Sequence, residues 1–115
     1  MTQNNWHTEQ DGDCMTVARR LPARFDVSAR AEFPAVSPSR LARQIRQDMW
    51  RALQNVRGFS PVVRVERGDV GLVVTAGGQA SKPIAPTLEH RIAEILGDTS
   101  RRARWINWAS KGQGL

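Results

Sequence analysis

The most regular pattern of apolar and polar positions lies between Ser39 and Arg57. Placing successive residues 100° apart around a helix axis gathers Leu41, Ala42, Ile45, Met49, Ala52, Leu53 and Val56 within about 120° of arc. That predicts an amphipathic helix over 39–57 with one buried stripe. Ser37 or Ser39 suits its N-cap, since a serine hydroxyl accepts from a free first-turn N–H. Pro38 suits a first helical position and Gly58 the stop.

Period-two alternation follows. Pro61–Arg67 and Val70–Ala76 flank Gly68-Asp69, which reads as a two-residue hairpin turn. Pairing Val65 with Leu72 and Val63 with Val74 puts Val63, Val65, Val70, Leu72 and Val74 on one face. Two shorter stretches upstream, Cys14–Leu21 and Arg24–Ala29, alternate less cleanly, and Arg19-Arg20 interrupts the first. Downstream, Gly77–Pro83 reads as a loop. Leu88, Ile92, Ile95 and Leu96 mark a helix over 86–96, ended by Gly97. Asp98 caps a last helix over 99–110, with Ala103, Trp105, Ile106 and Ala109 facing inward.

The order β-α-β-β-α-α, with an additional strand in front, predicts an α+β fold: a small antiparallel sheet of three to four strands with helices on one side. It matches most of a ferredoxin-like arrangement without the final strand. Residues 1–12 are polar and aperiodic and read as a disordered acidic tail, 13–111 as one domain, and 112–115 as a flexible C-terminus.

Composition changes this picture in one respect. The net charge is +6, but residues 1–15 hold Glu9, Asp11 and Asp13 and no cation, while the rest carries all 17 Lys and Arg against 8 acids. A basic body of this kind attracts polyanions or acidic protein surfaces. Of the 17 cations 15 are arginine, a bias a GC-rich genome also produces, so placement has to decide. Cys14 is the lone cysteine, no apolar run is long enough to span a bilayer, and the first residues lack a signal-peptide pattern. A cytoplasmic protein is expected.

Placement points to the polar side of the 39–57 helix. Arg40, Arg43, Arg46, Arg51 and Arg57 surround Trp50 there, with glutamines between and Asp48 near the edge. A second set, Arg101, Arg102, Arg104 and Trp108, lies on the last helix. Three readings compete for Trp50. It stacks on a base while arginines hold phosphates, it anchors an acidic protein partner, or the N-terminal segment covers it with arginines over its ring. The first gives the leading expectation: a non-catalytic nucleic-acid-binding or accessory protein contacting mainly backbone. A protein-interaction module is the alternative. The hairpin's edge makes a homodimer plausible under either.

Catalytic and metal chemistry find little purchase. His7, Glu9, Asp11, Asp13 and Cys14 lack structural zinc or calcium-loop spacing, and His90 with Glu94 reads as a solvated pair. Gly77–Lys82 lacks the G-x-x-x-x-G-K-[ST] spacing of a phosphate loop, which leaves Ser81 and Lys82 as possible phosphate contacts without a motif behind them. No cofactor is expected. The acidic tail is expected to screen the basic body until a partner displaces it.

Overall fold

The computed structural model describes residues 6–111, ordered as β1 (His7–Asp11), β2 (Cys14–Ala18), β3 (Val27–Phe33), α1 (Pro38–Leu53), β4 (Ser60–Arg67), β5 (Leu72–Gln79), α2 (Pro86–Gly97) and α3 (Thr99–Ser110). The class is α+β. The expected position 112–115 of a flexible end lies outside the described residues.

All neighbouring strands pair antiparallel, in the order β1-β2-β4-β5-β3. The sheet therefore has five strands rather than three or four, and the β4–β5 hairpin, expected to offer an edge for a homodimer, lies in its interior with a neighbour on both sides. Because β3 and β4 both run against β5, they run parallel to each other with β5 between them, and α1 makes the crossover. The ferredoxin-like order is met only in that unit. β1 and β2 extend the sheet beyond β4, and no strand follows α2 among the described residues. Residues 7–11, read from sequence as part of a disordered tail, are paired with β2 along their whole length.

Register makes the core. Met15, Val65 and Val74 lie abreast across three strands, as do Val17, Val63 and Ala76, and all six are buried. On this face α1 packs over β4 and β2, α2 packs over β3 and β5, and α3 leans on both other helices. Leu41, Ala42, Ile45, Met49 and Leu53 of α1 are completely buried, as the stripe predicted. So are Ile92 and Trp105.

Four local expectations change. The β4–β5 hairpin exists, but Arg67 pairs with Leu72 and Val65 with Val74, so the connection spans 68–71, closed by a Gly68 N–H bond to the Gly71 carbonyl at 2.7 Å. The slip is by two residues, which preserves which side chains face the core. Val70 alone is expelled, at 93% exposed.

Gly77 and Gly78 belong to β5 rather than to a loop. Gly78 has φ +149°, and a Cβ there would collide with the Ser60 carbonyl. The close approach of the strands, not turn geometry, calls for glycine. Helix α1 ends at Leu53 rather than near Arg57, since the Val56 N–H bonds back to the Leu53 carbonyl at 3.0 Å and tightens the chain toward β4. Its N-cap is Ser37, whose hydroxyl accepts from the Arg40 N–H at 3.3 Å.

The β2–β3 connector explains why the predicted 24–29 strand begins only at Val27. From β2 the chain must reach the far edge of the sheet, and it does so across the ends of β4 and β5. The Arg19 N–H donates to the Pro61 carbonyl, the Asp26 N–H to Gly78, and the Gln79 amide to Pro22. Phe25 rides on this crossing with the Arg64 guanidinium 5.1 Å from its ring centre. Ala18 and Val62, paired with each other on the face away from the helices, are 1% exposed.

Candidate polyanion interface

The outer side of α1 is assembled as its periodicity requires. Arg40, Arg43, Gln47, Trp50, Arg51 and Gln54 are all exposed. What the sequence does not reveal is how many of these groups are already engaged within the chain.

Trp50 is 36% exposed, and the Arg19 guanidinium lies 5.0 Å from its ring centre. The same guanidinium is 5.5 Å from the ring of Trp6, and Arg46 lies 4.6 Å from that ring. Two indoles and two guanidiniums thus interleave along one flank of α1. Partial burial pushes the Arg46 pKa down, with the nearby charge of Arg43 as the lesser cause. Arg19, just after β2, thus lies over part of the Trp50 ring from within the chain, and the same guanidinium reaches Trp6. Neither Trp6 nor Arg19 was among the predicted site residues. Their only sequence signal was the Arg19-Arg20 break in alternation.

Other predicted contact residues also have internal tasks. Arg40 donates to the Lys111 carbonyl at 2.8 Å, satisfying a helix-end acceptor of α3. Arg102 donates to the Leu96 and Glu32 carbonyls and sits 4.1 Å from the Phe33 ring centre. Trp108 is 46% exposed, with the Lys111 ammonium 4.9 Å from its ring. Asp48, expected at a solvent edge, is buried, where its carboxylate accepts from the Trp105 indole N–H at 2.8 Å and pairs with Arg104.

That last contact brings the two predicted patches together. α3 docks beside α1, and an open cleft forms between them, lined by Asp48, Arg51, Ala52, Asp98, Arg101 and Arg104. Both acids face inward tasks: Asp48 as above, and Asp98 as N-cap, accepting from the Arg101 N–H at 2.9 Å. Among the described residues the guanidiniums of Arg51, Arg101 and Arg43 have no hydrogen-bond or ion-pair partner. Arg57 is equally free, but it lies around the end of α1 in a different pocket, with Lys82 and Arg91. His90 and Glu94 form an exposed pair at 3.5 Å.

No described helix is long and apolar enough to cross a membrane. Comparison of the chain with protein-family models, curated proteins and solved structures found no match.

Proposed function

We propose that the protein is a non-catalytic binder of nucleic-acid backbone, and that it holds phosphates in the α1–α3 cleft and along the crest of α1. The observation that supports this reading is the convergence of Arg51, Arg101 and Arg104 from two helices on one open cleft. Of its two carboxylates, Asp48 pairs with Trp105 and with Arg104, and Asp98 caps α3, which leaves the Arg51 and Arg101 guanidiniums without a partner among the described residues. Fork-shaped donors suit phosphate oxygens, and the N-terminal end of α3, whose partial positive charge Asp98 already caps, opens on the same cleft.

The interface is narrower than the helix face alone implies. Arg43, Arg51 and Arg101 are its principal contacts, with Arg104 contributing the part of its guanidinium that Asp48 leaves free. Arg40, Arg46 and Arg102 serve the fold. Stacking on Trp50 becomes secondary, because Arg19 already occupies its ring. Such a set reads charge and spacing rather than base edges.

The test is fluorescence anisotropy of labelled duplex DNA and single-stranded RNA at two salt concentrations, with the intact protein and with Arg51→Gln/Arg101→Gln. Binding should weaken with salt. On duplex DNA the double substitution should lower the slope of log K against log salt by about 1.8, from ~0.9 per phosphate contact. Absence of binding at low salt overturns the proposal. It would move the weight to an acidic protein partner, which the exposed parts of Trp50 and Trp108 favour as anchors.

A further inference from the structure

Away from that cleft, the turn after α1, the β5–α2 connector and the first turn of α2 enclose a pocket of about 250 Å³. Arg57, Lys82 and Arg91 line it together with the Ser81 and Thr87 side chains, over an apolar wall that includes Ile84 and Leu88. No carboxylate lines it. Asp26, whose carboxylate feels the Lys82 charge, is committed to Arg24 and to the Ala80 N–H. Arg91 is fixed by one hydrogen bond to the Ala52 carbonyl at 3.0 Å, which steadies its guanidinium at the pocket. Gly58 lets the wall close: its φ is +68°, and a Cβ there would collide with the Ser81 hydroxyl.

We infer that this pocket binds a phosphate monoester. Three cations without a lining acid define an anion site, and a planar guanidinium, an ammonium and hydroxyls are donors matched to a tetrahedral oxyanion. The N-cap of α2 is Ala85, which offers no side-chain acceptor to the first-turn donors. The positive end of the helix dipole adds to the same field, offset in part by Glu89 of the first turn, which lines the neighbouring pocket instead. The volume lies just below the ~300–1,000 Å³ of pockets for drug-sized ligands, so the ligand is small. The apolar wall gives its organic substituent a surface, which favours an ester over inorganic phosphate. The site shares no lining residue with the α1–α3 cleft and stands whether or not duplex DNA binds there.

The decisive measurement is isothermal titration calorimetry of the full chain with phenyl phosphate, alongside Arg57→Gln/Lys82→Gln and Arg51→Gln/Arg101→Gln, each checked for an unchanged circular dichroism spectrum. The proposal expects one-to-one binding that falls at least tenfold in the first variant and is retained in the second. Phenol should not compete. A hexanucleotide with a 5′-phosphate, compared with its 5′-hydroxyl form, separates the two sources of the ligand. A 5′-phosphate preference that depends on Arg57 and Lys82 identifies a nucleic-acid end, whereas binding of phenyl phosphate alone identifies a free small ester. No binding of either phosphorylated probe, or equal binding by the first variant, overturns the inference.

Discussion

The carboxylate of Asp48 on α1 accepts the indole N–H of Trp105 on α3 at 2.8 Å, with both residues buried. The same carboxylate takes the inner edge of Arg104, so one acid fastens α3 to α1 and positions an arginine of the cleft.

Replacing Asp48 by Ala strands a buried indole donor, which costs about 1–3 kcal/mol. Urea unfolding of Asp48→Ala should show that loss, and Asp48→Asn, which keeps an acceptor, a smaller one. The Asn variant also removes a negative charge from the cleft, so its affinity for duplex DNA should rise. Unchanged stability in the Ala variant would show that the contact does not hold the helices together.

Removing residues 1–12 deletes β1 and uncovers the edge of β2. The truncated chain should self-associate more than the full chain in light scattering, since it replaces the polar edge strand β1, with Glu9 and Asp11, by β2, whose Met15, Val17 and Ala18 make a less protected pairing template. Loss of Glu9 and Asp11 should also tighten binding to duplex DNA, as expected of a screening acidic segment. Affinity equal to that of the full chain would remove the screening idea and leave β1 with a purely architectural task.

Asp26 contributes a pH dependence to stability. Its hydrogen bond and ion pair with Arg24, and its acceptance of the Ala80 N–H, hold its pKa below the ordinary carboxylate value. The folded state is thus favoured by its ionised form. That stabilisation is complete above the unfolded pKa, about 3.9, and is lost as pH falls through the lower folded value. The stability gap between the natural protein and Asp26→Asn should be constant near neutrality and should narrow below about pH 4.

Two glycines should respond oppositely to alanine. At Gly78 the new Cβ meets the Ser60 carbonyl, and a loss of at least ~1–3 kcal/mol is expected. At Gly97 nothing lies within 4 Å, and Gly97→Ala should gain roughly 0.4–1 kcal/mol by restricting the unfolded chain. Thermal unfolding of the two variants gives both values.

The helices were legible because their apolar stripes obey one period and their N-caps are local: Ser37 and Asp98 announce themselves within a few residues, whereas Gly97, read as the stop of the 86–96 helix, is the last residue of α2 and Asp98 its C-cap. The hairpin was legible as an element but not in its register, because a shift of two leaves the alternation of Val63, Val65, Leu72 and Val74 unchanged. β1 was invisible. All five of its side chains are exposed, so no alternation marks it, and its pairing with β2 appears only in three dimensions. The same holds for the candidate interface. The arginines were readable, whereas their occupation by Trp6, Phe33, Asp48 and distant carbonyls depends on contacts across tens of residues. Asp48 shows this best, since its angle around α1 separates burial from exposure only once α3 has docked.

Arg102 has one more consequence. By donating to the Glu32 carbonyl and covering the Phe33 ring, it guards the free side of β3, whereas β1, at the opposite edge, presents five exposed residues. A strand arriving at β3 must first displace a guanidinium; among the described residues no such guard stands at β1. The sheet is polar in this sense, with a stopped end and an extendable end. Were two copies to join by strand addition, meeting β1 to β1 would close on itself as a pair instead of propagating into a fibre.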